Sequence, residues 1–303
     1  MGKITGIAWT DHTFNAWWGC QEVLGSPACG AGAGPFGGEC YAKTLDRRLG
    51  GDHWGNEKGR RFFSDRYWNE PLRWNREAER TQQRRRVFCM SMGDWAEGRA
   101  DQQESLKRLW ELIARTTWLD WLMLTKRPQL IPRLYPEEWQ RDPPENVWLG
   151  CTAETQRWMD IRWPLLRRVE AAVHWFSIEP MFEPIVLPED FLARANRAWC
   201  ITGGQSGLDA QPMNPSWYRS VNEQCRKAGV PHFFKQHGEW IHESQLTGQK
   251  VAGAPESRHE DGTLSYRIGK KAAGHLLDDS EIQEFPLGRV AAGREVELLE
   301  VIG

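Results

Sequence analysis

Short apolar runs recur along the chain, separated by longer polar or amphipathic stretches. They fall at 13–18, 87–92, 121–124, 147–151, 173–178, 199–202 and 230–234. Each is brief and rich in β-branched, aromatic or leucine residues, the pattern of strands buried on both faces of a parallel sheet. Between several of them the period becomes helical. In 103–116 Leu106, Leu109, Trp110 and Ile113 share one face, and in 155–169 Trp158, Ile161, Leu165 and Val169 do the same. The segment 214–228 opens on Asn214 as N-cap with Pro215 at the first helical position, and stops before Gly229. Such alternation predicts right-handed βαβ units around a parallel sheet.

The run ends carry the polar chemistry. After successive runs come Gly19-Cys20, Gly93-Asp94-Trp95, Thr125-Lys126-Arg127-Pro128, Thr152-Ala153-Glu154, Glu179-Pro180, Gly203-Gly204-Gln205-Ser206-Gly207 and Lys235-Gln236-His237-Gly238. Any one polar turn is ordinary. Their repeated placement at carboxyl ends of strands predicts one shared mouth, where parallel α/β folds build their sites. Three stretches stand outside the pattern: the Gly-rich 31–38, the Arg- and Trp-rich 45–86, and 241–303. The expected organisation is a parallel α/β unit, barrel or open sheet, over 1–240 with an insertion at about 45–86, and a C-terminal extension over 241–303 packed on it.

Composition narrows this picture. A chain of 303 residues with 40% hydrophobic and 26% charged residues can build a large core, which excludes wholesale disorder. A net charge of −2 excludes a general polyanion binder, so nucleic-acid contact has to come from a local patch. The opening residues lack the apolar stretch of a secretory signal, and no run reaches the length of a membrane span, so a cytoplasmic protein without membrane partner is expected. The 18 tryptophans outnumber 11 phenylalanines and 5 tyrosines. Trp17, Trp18, Trp95, Trp121, Trp148, Trp175 and Trp199 fall in or beside strands and read as barrel wall and site lining. Trp54, Trp68 and Trp74 remain as a group able to stack bases. Arg76, Arg80, Arg84, Arg85 and Arg86, near Tyr67, Trp68 and Trp74, suit phosphate contact and base stacking, but Glu70, Glu77 and Glu79 weaken that case and favour a solvated, ion-paired helix face.

Of seven cysteines, Cys89, Cys151, Cys200 and Cys225 lie singly in apolar runs or a helix and read as small core residues. Cys20, Cys29 and Cys40 share the first strand-to-helix connection. Three thiolates in one loop can hold a soft metal or an iron–sulfur cluster with one position left open. A structural zinc needs a fourth ligand, for which His12 or His53 is the candidate.

The segments Ile7-Ala8-Trp9-Thr10-Asp11, Thr13-Phe14-Asn15, Trp18-Gly19-Cys20 and Cys40-Tyr41-Ala42 resemble the opening of a phage and prophage family of three-cysteine-motif proteins. The likeness continues through Leu124-Thr125-Lys126-Arg127-Pro128, Asn146-Val147-Trp148-Leu149-Gly150, Ser177-Ile178-Glu179-Pro180, Gly203-Gly204-Gln205-Ser206-Gly207, Phe233-Phe234-Lys235-Gln236 and Gly269-Lys270-Lys271-Ala272-Ala273-Gly274, spanning about 7–286. That family resembles a divergent branch of the radical S-adenosylmethionine (SAM) enzymes. Two departures stand out: ten residues, 30–39, separate Cys29 from Cys40 where the family keeps two, and Gln205 stands where it has glutamate.

The resemblance implies an α/β fold, a partial TIM-like (β/α)6 barrel. It implies that Cys20, Cys29 and Cys40 hold a [4Fe–4S] cluster whose open iron chelates SAM, and that one-electron reduction yields a 5′-deoxyadenosyl radical that abstracts a substrate hydrogen. An electron donor such as flavodoxin or ferredoxin follows. The expected cofactor contacts are Tyr41 packing over the cofactor; Asp94 accepting from the SAM amine, or else capping a helix; and Lys126 and Arg127 neutralising a carboxylate or phosphate. Glu154 and Glu179 would reach ribose hydroxyls or the substrate amine, or else serve as caps or ion-pair partners; Gly203, Gly204 and Gln205 would approach through the backbone, and Lys235 would anchor an anion. His237 reads as structural. The implied setting is phage DNA hypermodification in an infected or lysogenic host, for example rearrangement of a substituted thymine side chain by an isomerase. A zinc-stabilised nucleic-acid-binding or nuclease-partner protein and a DNA lesion-repair lyase are the alternatives.

Overall fold

The computed structural model describes residues 5–30 and 39–287, so the Gly-rich stretch 31–38 lies outside them. Seven parallel strands form the main sheet: β1 His12–Thr13, β2 Arg85–Cys89, β3 Leu119–Thr125, β4 Val147–Thr152, β5 Val173–Ile178, β6 Ala198–Thr202 and β7 His232–Phe234. Every strand pairs with its sequence neighbours. Without a reversal of order the right-handed crossovers all fall on one face, so the sheet curls into a half-barrel and is not doubly wound.

The helices on that outer face follow the apolar periods at 103–116 and 214–228, whereas in 155–169 the inward face is Met159, Arg162, Trp163 and Leu166 and the expected Ile161 is exposed. α1 Tyr41–Arg48 packs through Ala42 with Trp18, Trp54 and Met92, and the outer face carries α2 Glu70–Thr81, α3 Gln103–Ala114, α4 Gln156–Leu166 and α5 Pro215–Ala228. Thr155 caps α4 by accepting from the Trp158 amide, and Asn214 caps α5 by accepting from the Ser216 amide at 2.9 Å. The first run divides: His12–Thr13 joins the barrel, whereas Trp17–Trp18 pairs antiparallel with Arg61–Phe62. Buried Asn15 stands between them, its Oδ1 accepting from the Met92 amide at 2.7 Å and its Nδ2 donating to Ser91 Oγ at 3.2 Å. The stretch expected as an insertion also contains α2, which packs on β2 and β3 as the first crossover helix.

Strand alternation divides the tryptophans between two cores. Trp121, Cys89, Leu149 and Phe176 face outward beneath the helices, in a core that also holds Trp17, Trp95, Trp68 and Trp74. Phe88, Leu122, Trp148, Trp175, Trp199 and Phe233 face inward and meet Trp9, whose ring lies 4.6 Å from Phe88 and 5.6 Å from Trp175. Gly150 makes room for this layer, since a Cβ there would sit 2.3 Å from the Trp175 ring. The inner aromatics fill the lower barrel, and the inward positions above them become small and polar: Thr152 and its register partner Ser177.

The chain after β7 folds back. β8 Trp240–His242, β9 Glu256–Arg258 and β10 Leu264–Arg267 form an antiparallel sheet in the order β8-β10-β9, followed by α6 Lys270–Ala273. The last described residues run along β7, where the Phe234 amide donates to the Ile282 carbonyl at 2.8 Å and the Glu284 amide to the His232 carbonyl at 3.0 Å. That contact covers an edge strand. Phe285 then closes the lower opening beside Trp199 at 5.5 Å, with the Arg86 guanidinium 3.6 Å above its ring. Among the described residues no helix is long and apolar enough to cross a membrane.

Candidate functional site

The carboxyl ends of the strands open into a cavity of about 400 Å³, within the size range of small-ligand sites. Trp9, Phe88 and Leu124 line its base and Thr152 and Ser177 its wall. Cys20, Cys29 and Cys40 all line it, and among the described residues no other cysteine and no histidine does. Among those residues no three His, Cys, Asp or Glu side chains stand as a preformed metal cage. The shared cavity, rather than a closed ligand set, is what brings the sulfurs together.

Each cysteine has its own anchor. Cys20 follows the Trp17–Trp18 strand; its carbonyl accepts from the Gly55 amide at 3.0 Å, and the next amide, of Gln21, donates to Glu97 Oε1 at 2.8 Å. Glu97 is buried against the Arg60 guanidinium, which also donates to the His53 and Gly55 carbonyls, so the 53–60 segment and the Cys20 loop are tied together. Cys29 ends the turn Pro27–Cys29, held by Ser26 donating to Glu154 Oε1 at 2.7 Å and by Trp158 Nε1 donating to the Gly25 carbonyl at 3.1 Å. Cys40 is the N-cap residue of α1. Burial pushes the Cys20 thiol up while the Arg127 guanidinium, 3.7 Å from the sulfur, pulls it down. Burial also pushes Cys40 up, against the Lys43 backbone amide and the Lys126 charge, which favour its thiolate.

The expected contact residues divide into those that line the cavity and those that hold it in place. Asp94 lines it, but its carboxylate is already filled: Thr125 Oγ1 at 2.6 Å and the Ala96 amide at 3.0 Å reach Oδ1, and Arg127 Nη1 at 2.8 Å and the Lys126 amide at 3.1 Å reach Oδ2. Those donors use the acceptor positions expected for a SAM amine. Arg127 does not line the cavity; it bridges Asp94, the Cys20 sulfur and the Gln21 carbonyl. Glu154 is fully buried outside the cavity, between Ser26 and Arg162 Nη1 at 2.7 Å. Burial raises the Glu154 carboxyl, yet Arg162 and Lys126 outweigh it and hold its pKa at about 2. Gly203 does not line the cavity either, and two of the backbone N–H groups expected to approach a ligand are used within the protein: Gly203 donates to Ile178 and Gly204 to Gln236.

The remaining candidates do face the cavity. Lys126 reaches Thr152 Oγ1 at 3.4 Å and lies 3.8 Å from Glu154. Burial works against its charge, but Glu154 and the nearby thiols more than compensate and push its pKa up. Glu179 and Lys235 line opposite sides of one ion pair, 3.0 Å apart. Gly204 lies so close to the neighbouring loop that a Cβ would sit 1.8 Å from the His237 carbonyl, and Gln205 follows it on the lining. Tyr41 is 61% exposed at the mouth with its hydroxyl donating to the Ser91 carbonyl at 2.7 Å. His237 is structural: burial pushes its pKa down, and Nε2 donates to the Leu276 carbonyl at 2.7 Å.

Two expectations are corrected. The Arg84–Arg86 patch lies at the amino end of β2, opposite the mouth, where Arg84 pairs with Asp120 and Arg85 and Arg86 pair with Asp11. Trp68 and Trp74 are buried in the outer core and offer no stacking face, Trp74 because the amphipathic period of α2 turns it inward and Trp68, in the short helix before α2, because it packs against Phe14; Trp54, though buried, lines the cavity. Neither candidate zinc histidine reaches the site. His12 stacks on Trp74 at 4.3 Å and His53 Nδ1 meets Asp46 at 2.8 Å. Sequence reasoning missed Ser26, Ser91, Arg162 and Lys270. Lys270 had a signal in the Gly-Lys-Lys turn, whereas Arg162 sits within an ordinary helical period that gives no hint of a buried charge.

Residues 4–286 match the family model described as protein of unknown function (DUF5131), and the chain belongs to that family. No curated protein and no solved structure is detectably similar to it.

Proposed function

We propose, taking membership of this family as the premise, that the chain is a radical SAM enzyme acting on a modified nucleobase in phage DNA hypermodification. The observation that carries the reading is the donor set: three thiols, without histidine or a fourth cysteine among the described residues, lining a strand-end cavity with cations against them. Three thiolates fit a [4Fe–4S] cluster with one iron left open better than a four-ligand zinc. When bound, the cluster supplies one-electron reductive cleavage of SAM to a hydrogen-abstracting 5′-deoxyadenosyl radical.

The chain's own residues prepare the cavity for that chemistry. Arg127 offsets the charge of the Cys20 thiolate, and Lys126 does so for Cys29 and Cys40. Asp94 fixes both cations by accepting from the Lys126 amide and the Arg127 guanidinium. Glu154 and Arg162 clamp the Cys29 turn to β4 through Ser26. Thr152, Ser177 and Lys126 offer hydrogen-bonding groups to a polar ligand, and the Trp9–Phe88 base excludes water below it. Tyr41 and Trp54 place aromatic surface at the mouth for a base. A one-electron donor of the flavodoxin or ferredoxin class completes the reading.

The test is anaerobic incubation of the iron- and sulfide-reconstituted chain with SAM and a chemical reductant, followed by chromatography. 5′-Deoxyadenosine is the expected product. Intact SAM after full reconstitution would overturn the proposal.

A further inference from the structure

Among the described residues that line the cavity, one cation is left without an anion. Of the carboxylates that line it, Glu22 pairs with Lys43, Glu39 with Arg47, Glu179 with Lys235 and Asp94 with Arg127. Two further lysines line it, Lys126 and Lys270. Lys126 sits beside Glu154 and the thiols of Cys29 and Cys40. Lys270 is exposed, comes from outside the barrel, and forms no ion pair with any described residue.

Its position is built rather than incidental. The Ile268 and Gly269 amides both donate to the Glu239 carbonyl, at 3.2 and 3.0 Å. Glu239 in turn donates its own amide to the Gln205 carbonyl at 2.9 Å and accepts from the Gly207 amide at 3.2 Å. Arg267 donates to the Gly207 carbonyl at 2.8 Å. The C-terminal lobe is therefore fastened to the loop after β6, and Gly269 at φ +86° makes the turn that presents Lys270 to the cavity. Ser206 and Gln236 line the same side, with Gln236 Nε2 donating to Ser206 Oγ at 2.8 Å.

We propose that Lys270 is a substrate contact that binds a phosphate group at the rim of the cavity, so that the C-terminal lobe selects phosphorylated over unphosphorylated substrates. A lysine is a point charge that meets phosphate from many directions, whereas planar carboxylates are matched by the arginine fork, and no arginine among the described residues lines the cavity. The phosphate belongs either to a free nucleotide or to a DNA strand. This inference rests on the proposed function only in taking the cavity as the entrance for a nucleobase.

Binding to the full chain without reductant tests it, using thymidine, thymidine 5′-monophosphate and a fluorescein-labelled single-stranded thymidine oligonucleotide as probes. Lys250→Glu, at an exposed position of the same lobe, is the charge-matched control. Lys270→Glu is expected to weaken one or both phosphate-bearing probes about tenfold, to leave thymidine unchanged, and on the oligonucleotide to lower the salt slope by about one. Loss confined to the monophosphate identifies a nucleotide; loss confined to the oligonucleotide identifies a strand. Equal binding of both phosphate probes by Lys270→Glu and wild type would overturn the inference. So would no phosphate-probe binding by wild type, an equal loss for Lys250→Glu, or a matching loss for thymidine. A wild-type chain that shows Lys270-dependent phosphate binding but never cleaves SAM would sink the radical SAM reading and leave this one standing.

Discussion

Replacing Glu154 by glutamine removes a charge from the best-enclosed ion pair of the site while keeping its shape. Glu154 is 0% exposed and accepts from Ser26 and Arg162, with Lys126 beyond. Its carboxyl moves from 4.5 to about 2, which corresponds to about 3 kcal/mol of stability at neutral pH. The same substitution leaves the Arg162 guanidinium, itself 1% exposed, short of its counter-ion, and breaking one side of a buried pair costs about 3–5 kcal/mol. For a chain of this size that lowers the thermal midpoint by roughly 6–12 °C. The sign with pH follows from the lowered carboxyl: its contribution is complete above 4.5 and is lost as the pH falls through about 2. Urea unfolding of wild type and Glu154→Gln at neutral pH and between those two values reads both quantities. The expected result is a gap of about 3 kcal/mol that closes on acidification. A gap below about 0.5 kcal/mol at neutral pH, or one that does not change with pH, would refute the assignment of Glu154 as the clamp of the Cys29 turn.

Individual Cys20→Ala, Cys29→Ala and Cys40→Ala variants are expected to lose most bound iron, measured per chain after anaerobic reconstitution, while Cys151→Ala, buried beneath α4, retains it. Gly204→Ala drives a methyl group to 1.8 Å from the His237 carbonyl and is expected to separate the β6 and β7 loops, lowering the thermal midpoint and weakening SAM binding by calorimetry. His232, fully buried between Thr202 and Asn222, has its pKa held down at about 3 by burial, so its neutral form stabilises the fold. Acidification from the unfolded value of 6.5 towards 3 therefore erodes stability, and an acid titration of His232→Gln against wild type is expected to show the wild type losing more over that window.

The sheet was legible because both of its faces are buried, which leaves each strand as an apolar run between polar ends. The helices at 103–116 and 214–228 were legible from their apolar period and, in the second, from Asn214 and Gly229; at 155–169 the helix was legible but not its face, because Met159, Arg162, Trp163 and Leu166 turn inward and the expected Ile161 is exposed. The division of 13–18 into two strands was not, since the bend rests on Asn15 bonding residues 76 and 77 positions away. Lys126, Glu179, Gln205 and Lys235, picked out by the strand-end rule, all line the cavity. That rule cannot distinguish a side chain that turns inward from one such as Glu154 or Arg127 that turns back to hold a loop, because that choice depends on where Ser26, Arg162 and Gln21 arrive in space. The arginine patch misled for a related reason: Arg84 precedes β2 and Arg85 and Arg86 begin it, and a strand's start and its end are about 17 Å apart for five residues.

The most direct test of the central claim is iron and acid-labile sulfide analysis, with electron paramagnetic resonance, on the chain purified and reconstituted without oxygen. A brown protein holding close to four iron and four sulfide per chain, whose reduced signal changes when SAM is added, is the predicted result. A colourless protein carrying stoichiometric zinc and no sulfide would contradict it.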